Sequence, residues 1–238
     1  MSNLILLLLL NRLNIGFNTS YITNVQDLVG VPITAVVLNP TIEYEYKKIG
    51  ISIDNLYISA NCNVEGSNNE GDSIDVRIGL NCAIPTLYYR FDINKFQIAP
   101  CIGMIRIDAA GLAYGQLSSF AYSDQIDETR TGIYGGLKTT FMPTPKIGVK
   151  LLLSIASLKE GSFEEIGASL IFKPFLKNIN SIENDSGEKP QGLFSSMLKN
   201  VYFSTNISLA RITVKIDNET PPLPVNIGVF LIGIGYDW

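Results

Sequence analysis

The chain has 238 residues, of which 46% are apolar and only 17% charged, with a net charge of -4 and no histidine. The length suits one domain or a single barrel. The acidic balance without a basic cluster excludes a nucleic-acid binder, and the missing histidine removes the commonest metal ligand and general base.

No apolar run approaches the roughly 18 residues that a membrane-crossing helix needs; the longest is residues 4–10. That run has the look of a secretory-signal core. Yet no Lys or Arg precedes it, no small-residue cleavage pattern follows, and Arg12 comes after it. Residues 1–12 are therefore expected to be a remnant of an export signal, atypical or truncated. The first cysteine is Cys62, which argues against a lipid anchor at the start.

From residue 13 onward apolar residues recur with period two, the mark of strands with one apolar face. Ten strands are expected, at 13–25, 33–46, 50–65, 74–91, 95–107, 129–142, 146–158, 164–172, 201–216 and 225–238, with eight or twelve as the alternatives. In the second, Val36, Leu38, Ile42, Tyr44 and Tyr46 oppose Asn39, Thr41, Glu43 and Glu45. In the fourth, Ile74, Val76, Ile78, Leu80, Cys82 and Ile84 oppose Asp75, Arg77, Gly79 and Asn81. Short turns are expected at 47–49, 92–94 and 143–145, and longer polar loops at 26–32, 66–73, 108–128, 159–163 and 217–224, with 111–122 left open to a further strand. An even strand count puts every short turn at the end that holds both termini. The long polar connection at 173–200 falls at that same end and breaks the pattern. Residues 13–238 form a single barrel domain on this reading. Cys62, Cys82 and Cys101 show no metal-binding or redox spacing and are read as small apolar strand residues, Cys101 on the face opposite to the other two.

Alternation alone fits both a membrane barrel and a soluble one with an apolar interior. Three features favour the membrane. Several strands are long enough to cross a bilayer at a tilt. The polar face is built from Gly, Ser, Asn and Thr rather than Lys and Glu, as a narrow lumen requires. The chain ends Phe230, Ile232, Ile234, Tyr236, Trp238, an alternating apolar stripe that closes on an aromatic residue. On this basis Ile74, Val76, Ile78, Leu80, Phe203, Ile207, Ile227 and Val229 should face lipid, and Asp75, Arg77, Arg130 and Lys138 the lumen.

The closing stripe resembles the assembly signal of small bacterial outer-membrane β-barrel proteins, the OmpA-, OmpX- and OmpW-like class broadly. Ile234, Tyr236 and Trp238 carry that resemblance. It implies an all-β fold, a closed antiparallel up-and-down transmembrane barrel in the bacterial outer membrane. It also implies membrane lipid and the outer-membrane assembly machinery as partners.

The lumen residues Glu43, Glu45, Asp75 and Glu165 match Arg77, Arg130, Lys138 and Lys150 in number, which suits an ion-pair network plugging a narrow barrel. A Ser-His-Asp site is impossible without histidine. The carboxylates Glu43 and Glu45 are read as lumen ion-pair partners rather than as a catalytic pair. The expectation is a protein that is not an enzyme, binds no cofactor, metal or nucleic acid, and has a structural or interaction role with outer loops that meet a ligand, or a narrow channel. The alternative is a soluble or periplasmic lipocalin-like barrel that binds an apolar ligand.

Overall fold

The computed structural model describes residues 11–22, 33–65, 73–117, 120–174, 200–214 and 223–237. They form eleven strands: β1 Asn11–Ile22, β2 Ile33–Tyr46, β3 Ile49–Glu65, β4 Ser73–Tyr89, β5 Phe91–Ile93, β6 Phe96–Leu117, β7 Phe120–Thr144, β8 Ile147–Leu158, β9 Gly161–Phe172, β10 Val201–Val214 and β11 Leu223–Asp237. β5 continues β4 past Arg90, and both pair with β6. The wall thus has ten positions, each strand antiparallel to its sequence neighbour, and β11 closes onto β1. Of the expected signal remnant at 1–12, residues 1–10 lie outside the described residues and Asn11 and Arg12 open β1; the expected loop at 26–32, all but the last residues of those at 66–73 and 217–224, most of the 173–200 connection and Trp238 also lie outside them.

Closure fixes a stagger. Cross-strand partners lead from Asn14 through Glu43, Ser52, Thr86, Gly103, Tyr134, Ala156, Phe163 and Ile212 to Val225. Asn14 itself pairs with Asp237, so one circuit climbs twelve residues along β11, from 237 to 225. Such a stagger tilts the strands by roughly 35–45° to the barrel axis. The path climbs from the end that holds the termini to the opposite end. From Asn14 to Ile212 its positions face inward. Asn14, Glu43, Ser52 and Thr86 are polar or charged, Gly103 marks the change, and Tyr134, Ala156, Phe163 and Ile212 are uncharged and mostly apolar.

The outside carries one continuous apolar belt. Ile15 and Phe17, Leu38 and Ile42, Ile51 and Ile53, Ile102 and Met104, Leu151 and Leu153, Ile166 and Leu170, Ile207 and Leu209, and Ile232 and Ile234 all lie exposed on it; Ile133 is 70% exposed. On β8 the belt runs from Ile147 to Ile155, nine residues. At about 3.3 Å per residue and a tilt near 40°, that is roughly 20–25 Å, close to the band of a transmembrane barrel. Aromatic residues rim its lower edge: Tyr46, Tyr89, Phe91, Phe96, Phe172 and Phe203 are exposed, with Tyr89 edge-on to Phe91 and Phe96 stacked on Phe141. At the upper edge the outward positions turn polar: Arg106 and Asp108 on β6, Glu164 on β9 and Arg211 on β10.

Above that edge the two faces exchange polarity. On β4 the buried Cys82, Ile84, Thr86 and Tyr88 point inward, and the unbroken pairing with β3 and β6 puts Ile74, Val76, Ile78 and Leu80 on the same face. Ile78, high on that face, is still half exposed. Asp75 and Arg77 face outward. This corrects the sequence expectation for all six. So too Val229, buried at 6%, and Ile227, packed against the core, face inward; Phe203 and Ile207 face outward as expected. Two different surroundings of the outer face account for the change. Where an outer face meets hydrocarbon the apolar residues of a strand go out; where it meets water they go in. The inward parity of Val76 and Ile78 would indicate a soluble barrel if it held along the whole strand. It holds only above the belt, because Leu87 and Tyr89 of the same strand are exposed. Cys101, expected on the other face, is buried inside with Cys82.

Two connections also differ. The expected polar loop at 108–128 is strand almost throughout, with β6 and β7 paired out to Leu117 and Phe120. Small residues such as Ala109, Ala110 and Gly111 carry no apolar contrast, so no alternation shows there. The expected loop at 159–163 is a two-residue turn, Lys159 and Glu160, with Leu158 paired to Gly161. Glu160 takes a positive φ of 127°. The β6–β7 and β8–β9 hairpins are consequently of very unequal height.

Leu151→Arg, in the middle of the belt, should cost about 2–4 kcal/mol in denaturant titrations of the protein folded into lipid vesicles. Ser59→Arg, above the belt on the outer face, should cost about 0.5 kcal/mol or less. Equal costs at the two positions would show that the belt does not contact hydrocarbon.

Candidate functional site

The interior falls into two layers. The lower one, inside the belt, is polar. Lys138 on β7 donates to Ser52 Oγ at 2.8 Å and lies 3.1 Å from Asp54 Oδ2; Ser52 and Thr86 share a hydrogen bond of 2.7 Å. Lys138 also sits 6.0 Å above the Tyr88 ring. Tyr88 donates to Glu45 at 3.4 Å, and Glu45 takes a 2.9 Å ion pair from Arg90. Glu43 faces the charges of Lys150 and Lys138. Glu165 accepts from Ser208 at 2.6 Å and Ser154 at 3.5 Å.

Glycine makes room for two of the longer reaches. β11 separates β10 from β1, yet Ser204 and Asn206 on β10 donate to Asn18 Oδ1 on β1 at 2.9 and 2.7 Å. They pass over Gly233, where a Cβ would overlap the Asn18 side chain. Asn18 donates onward to Asn39 at 3.0 Å, and Asn39 to the Asn55 carbonyl at 2.8 Å. In the same way Tyr202 lies across Gly235 and donates to Asn14 at 2.8 Å.

The upper layer is apolar. Ile105 is fully buried; Val37, Tyr134, Ala156, Cys82, Phe163, Ile107 and Leu231 are nearly so, and Leu56, Leu80 and Ile227 pack against them. This layer forms an apolar stopper above Lys138 and Asp54.

Of the residues expected to form the lumen network, Glu43, Glu45, Lys138, Lys150 and Glu165 are in the lower layer. Arg130 also points inward but sits at the upper rim, 2.9 Å from Glu128 and 3.7 Å from Glu160. Asp75 and Arg77 are on the outside of the wall. Asp54 and Arg90 take their places inside. Asp54 escapes the sequence reading because the face it shares with Leu56 and Ile58 reads as lipid-facing; Arg90 escapes it because it follows the tyrosines at the strand's end. Ile234 and Tyr236 continue the outward stripe; Trp238 is outside the described residues. Above the belt, hydrogen bonds from Thr129 and Arg106 hold the Asp108 carboxyl below its ordinary range. Among the described residues no group of His, Cys, Asp and Glu could hold a metal ion.

No family model matches the chain, and no curated protein matches it. Solved structures with a similar outline include a major outer membrane protein from Thermus thermophilus, with a TM-score of 0.45 at 10% identity over 96% of this chain and 99% of that one. The outer membrane protease OmpT from Escherichia coli gives a TM-score of 0.46 at 9% identity over 96% and 95%. The outer membrane protein OprG from Pseudomonas aeruginosa gives 0.37 at 13% identity over 96% and 95%.

Lys138 and Asp54 keep 24% and 32% of their side-chain surface accessible, so their pairing is worth more than a surface ion pair and less than a dry one. Lys138→Met should destabilise the barrel by about 1–3 kcal/mol. Adding Asp54→Asn should restore at least half of that loss, because the stranded carboxylate is then gone. A double variant no more stable than Lys138→Met would show that the two side chains are not coupled.

Proposed function

We propose that this chain is an integral outer-membrane barrel of a bacterial cell envelope, a closed anchor rather than a pore, whose function lies in the strands that rise above the bilayer. The apolar belt carries this reading. Exposed apolar area of this extent has no counterpart on a monomer dissolved in water, and its height, aromatic lower rim and charged upper rim fit a bilayer. The lipocalin-like alternative would need the apolar face inside along the whole length, and the lower lumen is instead lined with charges and amides.

The lumen does not favour transport of ions. A chain of polar groups climbs from the lower end through Glu43, Lys138 and Asp54 and stops beneath Ile105, Tyr134, Ala156 and Phe163. An ion crossing that layer would shed its water against side chains that offer only the Tyr134 hydroxyl in its place. The lower network then serves stability and closure, and an interaction role for the upper end is what remains. Nothing in the lower network supplies an exposed, unpaired carboxylate beside a cleft, which an acid–base enzyme would need.

The full chain should require detergent for extraction and run as a heat-modifiable band. In planar bilayers it should show no resolved conductance steps, whereas Ile105→Ser with Tyr134→Ser, which opens the stopper, should. A monomer soluble without detergent would overturn the membrane reading; steady ion-conducting steps in the unaltered protein would overturn the closed anchor and leave a channel.

A further inference from the structure

β7 carries the feature that the belt and the stopper do not explain. It runs from Phe120 to Thr144, but β8 accompanies it only from Gly132 downward. The reason is the short turn at Lys159 and Glu160, which sends the chain back down β9. Above it, residues 120–131 of β7 are paired on one side to β6 and, among the described residues, to no strand on the other. This is an open sheet edge longer than most whole strands.

The direction of its backbone groups follows from one hydrogen bond. Lys159 N donates to Thr131 O at 3.2 Å, so Thr131 turns its backbone toward the β8 side. A strand residue points its N–H and C=O to the same side, and its neighbours point theirs to the other. Gln125, Asp127 and Thr129 therefore present N–H and C=O pairs to the open edge, at the spacing that an added antiparallel or parallel strand requires. Proteins usually shorten, cover or bend such edges, and this one is left extended.

Its charge is one-sided. Asp127 and Glu128 are both exposed, and Asp124 lies in the same stretch of sequence. Between 120 and 131 the sequence holds a single cation, Arg130, which is taken up by Glu128 and Glu160 at the base. A second copy of this chain paired edge to edge would bring these acids against their equivalents, which is unfavourable. We propose that the upper edge of β7 is a docking site for an extended, basic segment of another protein, which adds to the sheet as a further strand. Main-chain hydrogen bonds would supply the affinity and the acidic side chains the preference for Lys and Arg. This rests on the proposed membrane reading only for the compartment in which the partner is met; the edge itself is a property of the strand lengths.

The test uses the full chain folded in detergent micelles and a synthetic ten-residue probe of alternating Lys and Val. Controls are the same peptide with alternate amides N-methylated and a version with Glu in place of Lys. Binding is followed by fluorescence anisotropy, and protection of the 123–129 amides by hydrogen exchange. The Lys probe should bind and protect those amides, and either control should bind at least tenfold more weakly. Gln125→Pro removes an edge donor at a position where proline is tolerated and should weaken the probe at least tenfold with the heat-modifiable shift intact. Asp127→Lys with Glu128→Lys should reverse the preference between Lys and Glu probes. Binding of the N-methylated peptide as tight as its parent, unchanged affinity in Gln125→Pro, or no binding to a folded protein would each overturn the proposal. A chain that folds only without detergent fails the membrane reading instead, and the edge is then tested in water by the same titration.

Discussion

Every backbone N–H and C=O inside an apolar belt needs a partner, because hydrocarbon offers none and each orphaned group costs several kcal/mol. The closure of β11 onto β1 meets that demand, and the rest of the structure depends on it. Closing ten strands with this stagger fixes the tilt and the width of the interior. A lumen of that width must then be filled by the inward side chains of every strand. Tyr88 lying over Gly50 and Tyr202 over Gly235 are filling of this kind, bulky rings on one strand balanced by the absence of a side chain on its neighbour. Gly233 does the same for a hydrogen-bond chain that links β10, β1, β2 and β3.

The lower half of the molecule was legible in the sequence because a single environment acts on each face there. Leu38 and Ile42 against Asn39, Thr41 and Glu43 can be sorted by polarity alone, and the structure sorts them so. The interior positions of Lys138, Lys150 and Glu165 followed from the same rule. The ten strands followed from the period-two stretches and the breaks between them, and the ends at which the short turns lie followed from counting back from the last strand.

The upper half was not legible by the same rule, for a physical reason. Sorting by polarity assumes that the outside is hydrocarbon. On β4 this suits Leu87 and Tyr89, which are exposed, and does not suit Arg77 and Asp75, whose outward face is polar while the apolar residues of that stretch turn inside. Nothing in local alternation announces the change, since Ile74 to Ile84 alternates as regularly on either reading. The signal that was available is the charge itself. Arg106, Asp108, Glu164 and Arg211 share faces with the belt residues of their own strands, and charges on that parity mark where the belt stops. The hairpin of β6 and β7 was missed for a related reason: beyond the belt, alanine and glycine suffice to build a strand, and the apolar signal fades while the pairing continues.

The exchange of polarity along β3, β4 and β6 also bears on how the strands find one another. A purely alternating strand forbids a slip of one residue, which would turn its whole apolar face about, but it is blind to a slip of two. Here the inner face changes from Asp54 to Leu56 on β3, from Thr86 to Ile84 on β4 and from Gly103 to Ile105 on β6, all at one height in the wall. Sliding β4 by two residues would keep its alternation and yet set a hydroxyl in the stopper, or an isoleucine among the charges below it. The inversion thus gives these three strands an absolute reference mark as well as a periodic one, and a mis-registered barrel can be rejected during assembly without any turn or loop having to specify the alignment.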